Sequence, residues 1–127
     1  MTVHSSVELN HTIVHSRDRS ESAHFLADIL GLEVGPQSGP FLPVGTANGV
    51  TLDFADTPAE EIKEQHYAFL VSEEQFDVSF ARLEERGVTY YADPFRRRPG
   101  EINQGGGRRG VYFLDPSGHS MELLTGA

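Results

Sequence analysis

The sequence predicts an α+β fold, a single domain built on mixed β-sheet, and three observations carry that expectation. The segment LNHTIVHSRDRSESAHFLADILGLEV, residues 9–34, and the segment QHYAFLVSEEQFDVSFARLEERGVTY, residues 65–90, run in the same order of strand, helix, strand. Each half then closes on a further apolar strand, VTLDFAD in the first and SMELLTG in the second. The chain has 127 residues, enough to bury one core without staples. The duplication also has chemical meaning: His11 and His66 open the two copies in matching places, 55 residues apart, and Asp53 and Glu122 fall in equivalent closing strands.

The first strand is expected near residues 7–15, with Leu9, His11 and Ile13 on one face and Asn10, Thr12 and Val14 on the other. Asp18 followed by Glu21 is a capping box, and Ala23, Leu26, Ile29 and Leu30 then recur at helical spacing until Gly31. Three short strands are expected at 32–34, 41–44 and 50–55, separated by GPQSGP and by the turn at 45–49. Residues 56–65, DTPAEEIKEQ, form a polar surface joint that is short for a linker between domains. In the second half His66, Ala68 and Leu70 share one strand face and Tyr67, Phe69 and Val71 the other. Ser72 with Gln75 caps a helix whose buried stripe is Phe76, Ser79, Phe80 and Leu83, ending at Gly87. A strand follows at 88–91. Residues 93–109, DPFRRRPGEINQGGGRR, are too polar and too rich in glycine and proline for regular structure, and they absorb the 14 residues by which the carboxylate spacing exceeds the histidine spacing. Residues 110–114 and 120–124 form a hairpin around DPSG, which places Glu122 inside a strand.

Composition narrows the function. Cysteine is absent, so thiolate ligands, disulfides and cysteine nucleophiles are excluded together and any metal is held by nitrogen and oxygen. A formal charge of -9 argues against nucleic acid as a partner. No apolar stretch approaches a membrane span and the opening MTVHSSVELN is unlike a signal peptide, so a cytoplasmic protein without membrane attachment is expected. The five arginines 96, 97, 98, 108 and 109 bracket the glycine-rich loop, a candidate lid in which Phe95 would supply a wall and Arg98 or Arg109 would receive an oxyanion; a solvated loop is the plainer alternative. His119 reads as a turn residue, and His4, His15 and His24, which have no repeat partner in phase, as surface or packing residues.

Three segments together resemble the vicinal oxygen chelate superfamily, the group of glyoxalases, bleomycin resistance proteins and extradiol dioxygenases. They are the opening strand and helix at 9–34, HYAFLV at 66–71, and GVYFLDPSGHSMELL at 110–124, the most specific of the three. The resemblance spans residues 7–125 and implies two βαβββ modules, about 7–55 and 64–125, curled around a cleft. It implies one divalent ion per chain, Fe, Mn, Ni, Zn or Co, held by His11, His66 and Glu122. Two imidazoles and a carboxylate leave one face of an octahedral ion open to two adjacent substrate oxygens. The competing reading makes the two histidines ordinary half-buried residues and Glu122 a surface carboxylate. Relatives of two modules are commonly homodimers, and in some each site draws ligands from both chains.

The same resemblance assigns catalytic roles to Tyr112, ten residues before Glu122, where extradiol dioxygenases and fosfomycin thiol transferases carry a tyrosine, and to Asp53, which matches a glutamate ligand of glyoxalase I but is one methylene shorter. Packing in the sheet core is the alternative for Tyr112, and solvation at the sheet edge for Asp53. Two departures bear on the reaction. The residues just before His66 lack the extra histidine of catechol-type enzymes, and Ile13 stands where the fosfomycin transferases have threonine. The expected function is therefore a metal-dependent lyase or isomerase acting on a small molecule with vicinal oxygens. Two alternatives stay open: an extradiol-type dioxygenase and a metal-free binding protein of the bleomycin-resistance kind.

Overall fold

The helices begin where side chains satisfy their first amide groups. In the computed structural model, which describes residues 6–126 and so leaves His4 outside the described residues, α1 spans Arg19–Leu30 and α2 spans Glu73–Glu85. Asp18 accepts hydrogen bonds from the backbone N–H groups of Ser20 and Glu21 at 3.0 and 3.1 Å. Ser72 accepts from Gln75 N–H at 3.0 Å, while the Gln75 side chain leaves the expected reciprocal box and donates to Leu30 O at 3.2 Å and to Ser79 Oγ at 2.9 Å. That amide thereby joins the two helices. Gly31 ends α1 at φ 71°, a conformation glycine adopts without the strain of a Cβ.

The strands are β1 His11–Ser16, β2 Phe41–Gly45, β3 Thr51–Asp56, β4 His66–Leu70, β5 Tyr90–Tyr91, β6 Asn103–Gly105, β7 Arg108–Leu114 and β8 Ser120–Leu124. They form two mixed sheets, one in the order β1-β3-β2, the other β4-β8-β7-β5 with β6 added beside β7. The duplication is visible in the register. In the parallel pair of the first sheet His11 lies opposite Thr51 and Ile13 opposite Asp53; in the second His66 lies opposite Ser120 and Ala68 opposite Glu122. Each carboxylate thus sits one pleat beyond its histidine.

Four expectations are revised. β1 begins at His11 instead of near Val7, the strand at 32–34 reduces to a bridge between Val34 and Val44, and that at 88–91 shortens to two residues. The segment 93–109 is not wholly irregular: Asn103–Gly105 pairs with β7 through a turn in which Gly106 and Gly107 both have positive φ, 60° and 77°. Two central residues in that region are what a two-residue hairpin requires, so polarity and glycine here mark a hairpin tip. The joint at 56–65 carries one 3-10 turn, Ala59–Glu61.

One core serves both halves. Val14, Leu52 and Phe54 from the first sheet and Leu26 and Ile29 from α1 are buried with Phe76 and Leu83 from α2 and Val111, Phe113, Met121 and Leu123 from the second sheet. Each such side chain contributes about 1.5–3 kcal/mol on burial, so the shared core is what joins the modules. It occupies one face of each sheet. The alternate residues, His11 and Ile13 on β1 and His66, Ala68 and Leu70 on β4, are exposed on the other faces.

Candidate metal centre

His66 and Glu122 meet on the outer face of the second sheet. Their strands are adjacent and parallel, and Ala68 stands between them in the register, small enough to let the glutamate lean toward the imidazole. His66 Nε2 and Glu122 Oε1 are 2.9 Å apart, with the histidine side chain 47 % exposed and the glutamate 16 %. That spacing fits a shared ion: two donors each about 2.1 Å from a metal and at right angles to one another are about 3.0 Å apart. An imidazole nitrogen and a carboxylate oxygen also suit the nitrogen and oxygen chemistry that a cysteine-free chain imposes.

Tyr112 completes this corner. It lies directly opposite Glu122 in the antiparallel pair of β7 and β8, and its ring centroid is 5.8 Å from that of His66. Burial, and then the neighbouring Glu122 charge, raise the phenol above its ordinary pKa, so it is held as a proton-bearing donor. Its ring packs beside His66, whereas the core-side residues of β4, Tyr67 and Phe69, alternate to the opposite face.

The first module offers the same register with a different outcome. His11 is exposed on β1, at the edge of its sheet, and its Nδ1 hydrogen-bonds Asn10 Oδ1 at 2.8 Å. Asp53 is half-buried opposite Ile13 and Pro43. A branched Ile13 occupies the place that Ala68 has in the second module, and aspartate is one methylene shorter than glutamate, so the conditions that close the His66–Glu122 pair are absent here. Among the described residues no three histidine, aspartate or glutamate side chains converge in a metal-binding group. The structure therefore brings together His66, Glu122 and Tyr112 and places His11 and Asp53 on the other sheet.

With that geometry in hand, residues 8–123 match the family model of the glyoxalase/bleomycin resistance protein/dioxygenase superfamily. The chain belongs to that superfamily. Within it, the chain is 34% identical over 125 residues to the glutathione transferase FosA of Serratia marcescens, covering 94% of this chain and 81% of that one. It is 30% identical to the metallothiol transferase FosB of Staphylococcus epidermidis, covering 93% and 81%. Among solved structures, the oxidase ChaP-H2 superposes with a TM-score of 0.93 at 59% identity, over 97% of this chain and 96% of that one. The α+β fold of this superfamily member, and its relation to metalloenzymes, agree with the sequence reading.

One sequence reading is corrected by its surroundings. Arg109 is not free for a substrate oxyanion: its guanidinium donates to Glu73 Oε1 at 2.9 Å and Asp77 Oδ1 at 2.8 Å and lies 4.3 Å from the Phe76 ring centroid. It fastens β7 to α2. Arg98 likewise pairs with Glu101 at 3.0 Å and Arg96 with Glu64 at 3.3 Å, while Phe95 is 72% exposed. His119 closes the turn between β7 and β8, as its sequence context implies, and there it is fully buried and hydrogen-bonded to both halves of the chain. The residue most informative about the pair yet overlooked in the sequence is Ala68; its contrast with Ile13 was there to be read once the repeat was aligned.

Proposed function

We propose that this protein is a metal-dependent enzyme whose centre is assembled between two copies of the chain, with His66 and Glu122 from one and His11 from the other. The observation that carries the reading is the shared core. Because both modules turn their inner faces to it, the His66–Glu122 pair and His11 sit on separate outward faces, and a second copy is the economical way to unite them. Features of the surface support the same assembly. β1 and β4 are edge strands, Leu9 is 68% and Leu70 65% exposed, and between these strands runs a groove of about 550 Å³ lined by both leucines with Leu52, Tyr67 and Phe69. Two-fold homodimers are the commonest closed assembly.

A divalent ion at such a centre would act as a Lewis acid toward two neighbouring substrate oxygens. Iron, manganese, nickel, zinc and cobalt all accept this donor set. His66 and Glu122 fix two directions on the rigid strands of one sheet. Tyr112, kept protonated, donates a hydrogen bond to an oxygen of the substrate as negative charge gathers there. Tyr91, directly opposite Tyr112 in the sheet, extends the aromatic wall.

An oxidative reaction on a small hydroxycarbonyl or catechol is the reading we favour, since the 59% identical structure is named an oxidase. Thiol transfer fits less well, because Ile13, not a threonine, faces outward two residues beyond His11. A lyase or isomerase would use the same chelation and is separated by its indifference to oxygen; a binding protein would hold its ligand after the metal is removed.

Complementation tests the assembly. His11→Ala and His66→Ala homodimers should each lose cobalt(II) binding, whereas a mixture refolded together should regain one intact site per heterodimer. No recovery in a demonstrated heterodimer would put all three ligands in one chain or remove His11 from the set.

A further inference from the structure

Away from the open faces, the turn that joins β7 to β8, Asp115 to His119, is pushed into the first module. Ser117 Oγ accepts from Arg17 N–H at 3.0 Å and lies 3.1 Å from Ser22 Oγ, and the Arg17 guanidinium donates to Pro116 O. At the bottom of this contact is His119, fully buried. Its two ring nitrogens face in opposite directions. Nδ1 accepts the Gln65 N–H at 3.0 Å, one residue before His66 and the start of β4, and Nε2 donates to His15 O at 2.7 Å, four residues beyond His11 on β1. Since one partner is an amide donor and the other a carbonyl acceptor, the tautomer is fixed with the proton on Nε2. The ring is further held by the Tyr67 edge at 5.8 Å, and its own backbone N–H is held by Asp115 Oδ1 at 2.8 Å.

We infer that His119 is a positioning residue for the metal centre. One imidazole is hydrogen-bonded to the strand that carries His11 and to the residue that leads into the strand of His66, and it sits at the end of the turn, three residues before Glu122. It therefore sets the angle between the modules within each chain. This inference rests on the metal reading above. In a centre shared by two copies, that angle decides whether the His11 offered to one site and the His66–Glu122 pair of the other are in register together. A buried leucine could fill the same volume, but only a group with an acceptor toward Gln65 and a donor toward His15 can hold both strands at once.

The two contacts can be cut separately. In His119→Asn the side-chain oxygen can replace Nδ1 and keep the Gln65 contact; in His119→Gln the amide nitrogen can replace Nε2 and keep the His15 contact. Cobalt(II) titration of the dimer, read through affinity and visible absorption, is the measurement, with thermal melts run beside it. Each variant is expected to lose on the order of 10-fold in cobalt affinity and to show an altered absorption band, the loss typical of residues that orient ligands. Leu83→Ala, a core truncation on α2 remote from the turn, is the stability control and should bind cobalt as the wild type does. Should the buried substitutions prevent folding, Ser117→Ala loosens the same docked turn from its surface side and should lower affinity by a smaller factor. Wild-type affinity and spectrum in folded His119 variants, or in Ser117→Ala where those do not fold, would overturn the proposal, as would a loss that tracks melting temperature through Leu83→Ala. Absence of cobalt binding by wild-type protein is the distinct outcome that overturns the metal reading and this inference with it.

Discussion

At the scale of single residues, the arrangement separates holding a ligand from moving a proton. His66 and Glu122 supply lone pairs; Tyr112 supplies a donor whose acidity the fold suppresses. Tyr112→Phe removes one hydroxyl and should lower turnover about 100-fold on whichever hydroxycarbonyl or catechol the wild type consumes, while leaving metal affinity in place. The pH dependence follows from the raised pKa. A phenol whose folded pKa exceeds its unfolded value of about 10 contributes stability that is fully present below pH 10 and is lost as pH rises through the folded value. The urea stability of the metal-free wild type should therefore hold up to about pH 10 and decline above it, and that decline should be smaller in Tyr112→Phe; the same decline in both proteins would assign it to another group. The candidate residues were legible in the sequence because duplication makes a histidine and a carboxylate stand out twice. Which of them meet was not, since that depends on the branched Ile13 against the small Ala68, a distinction of packing and not of pattern.

At the scale of elements, caps and stops were the most legible features, because they are settled by chemistry within a few residues: Asp18 and Ser72 start the helices and Gly31 ends the first. Short strands were the least. The 32–34 and 88–91 segments have strand-like residues but form few ladder bonds, as pairing partners far along the chain decide their length. β6 was hidden for the opposite reason, a polar, glycine-rich composition that conceals a hairpin. Its tip offers a clean measurement. Gly107 has φ 77°, and a Cβ there would meet nothing within 4 Å, so Gly107→Ala tests backbone conformation alone. Urea unfolding should show a loss of about 1–2 kcal/mol, the cost of the left-handed region for a residue with a Cβ. A neutral substitution would mean that the hairpin contributes nothing to the folded state.

At the scale of the whole molecule, the unresolved question at the sequence level was which surfaces face one another. Periodicity assigns residues to faces within a sheet, yet it is blind to whether two modules of one chain share a core or a cleft. Here they share a core. Sedimentation equilibrium at tens of micromolar should accordingly give twice the 14.0 kDa chain mass. A metal-loaded monomer would remove the case for a centre between copies. Dilution provides the companion observation, since metal affinity and dimer affinity should decline together when the same faces carry both.

The repeated register has a consequence for how such centres diversify. His11 and Asp53 stand in the same relation along their strands as His66 and Glu122, differing by one methylene in the carboxylate and by the bulk of the residue between. A single-base change turns an aspartate codon into a glutamate codon. On the proposed donor set, that lengthening, together with a smaller residue at position 13, would let the first module present a fourth ligand and close a coordination position now left to the substrate. The number of positions left to the substrate would then be set by two side chains of the first module, 13 and 53, with His11, His66 and Glu122 unchanged.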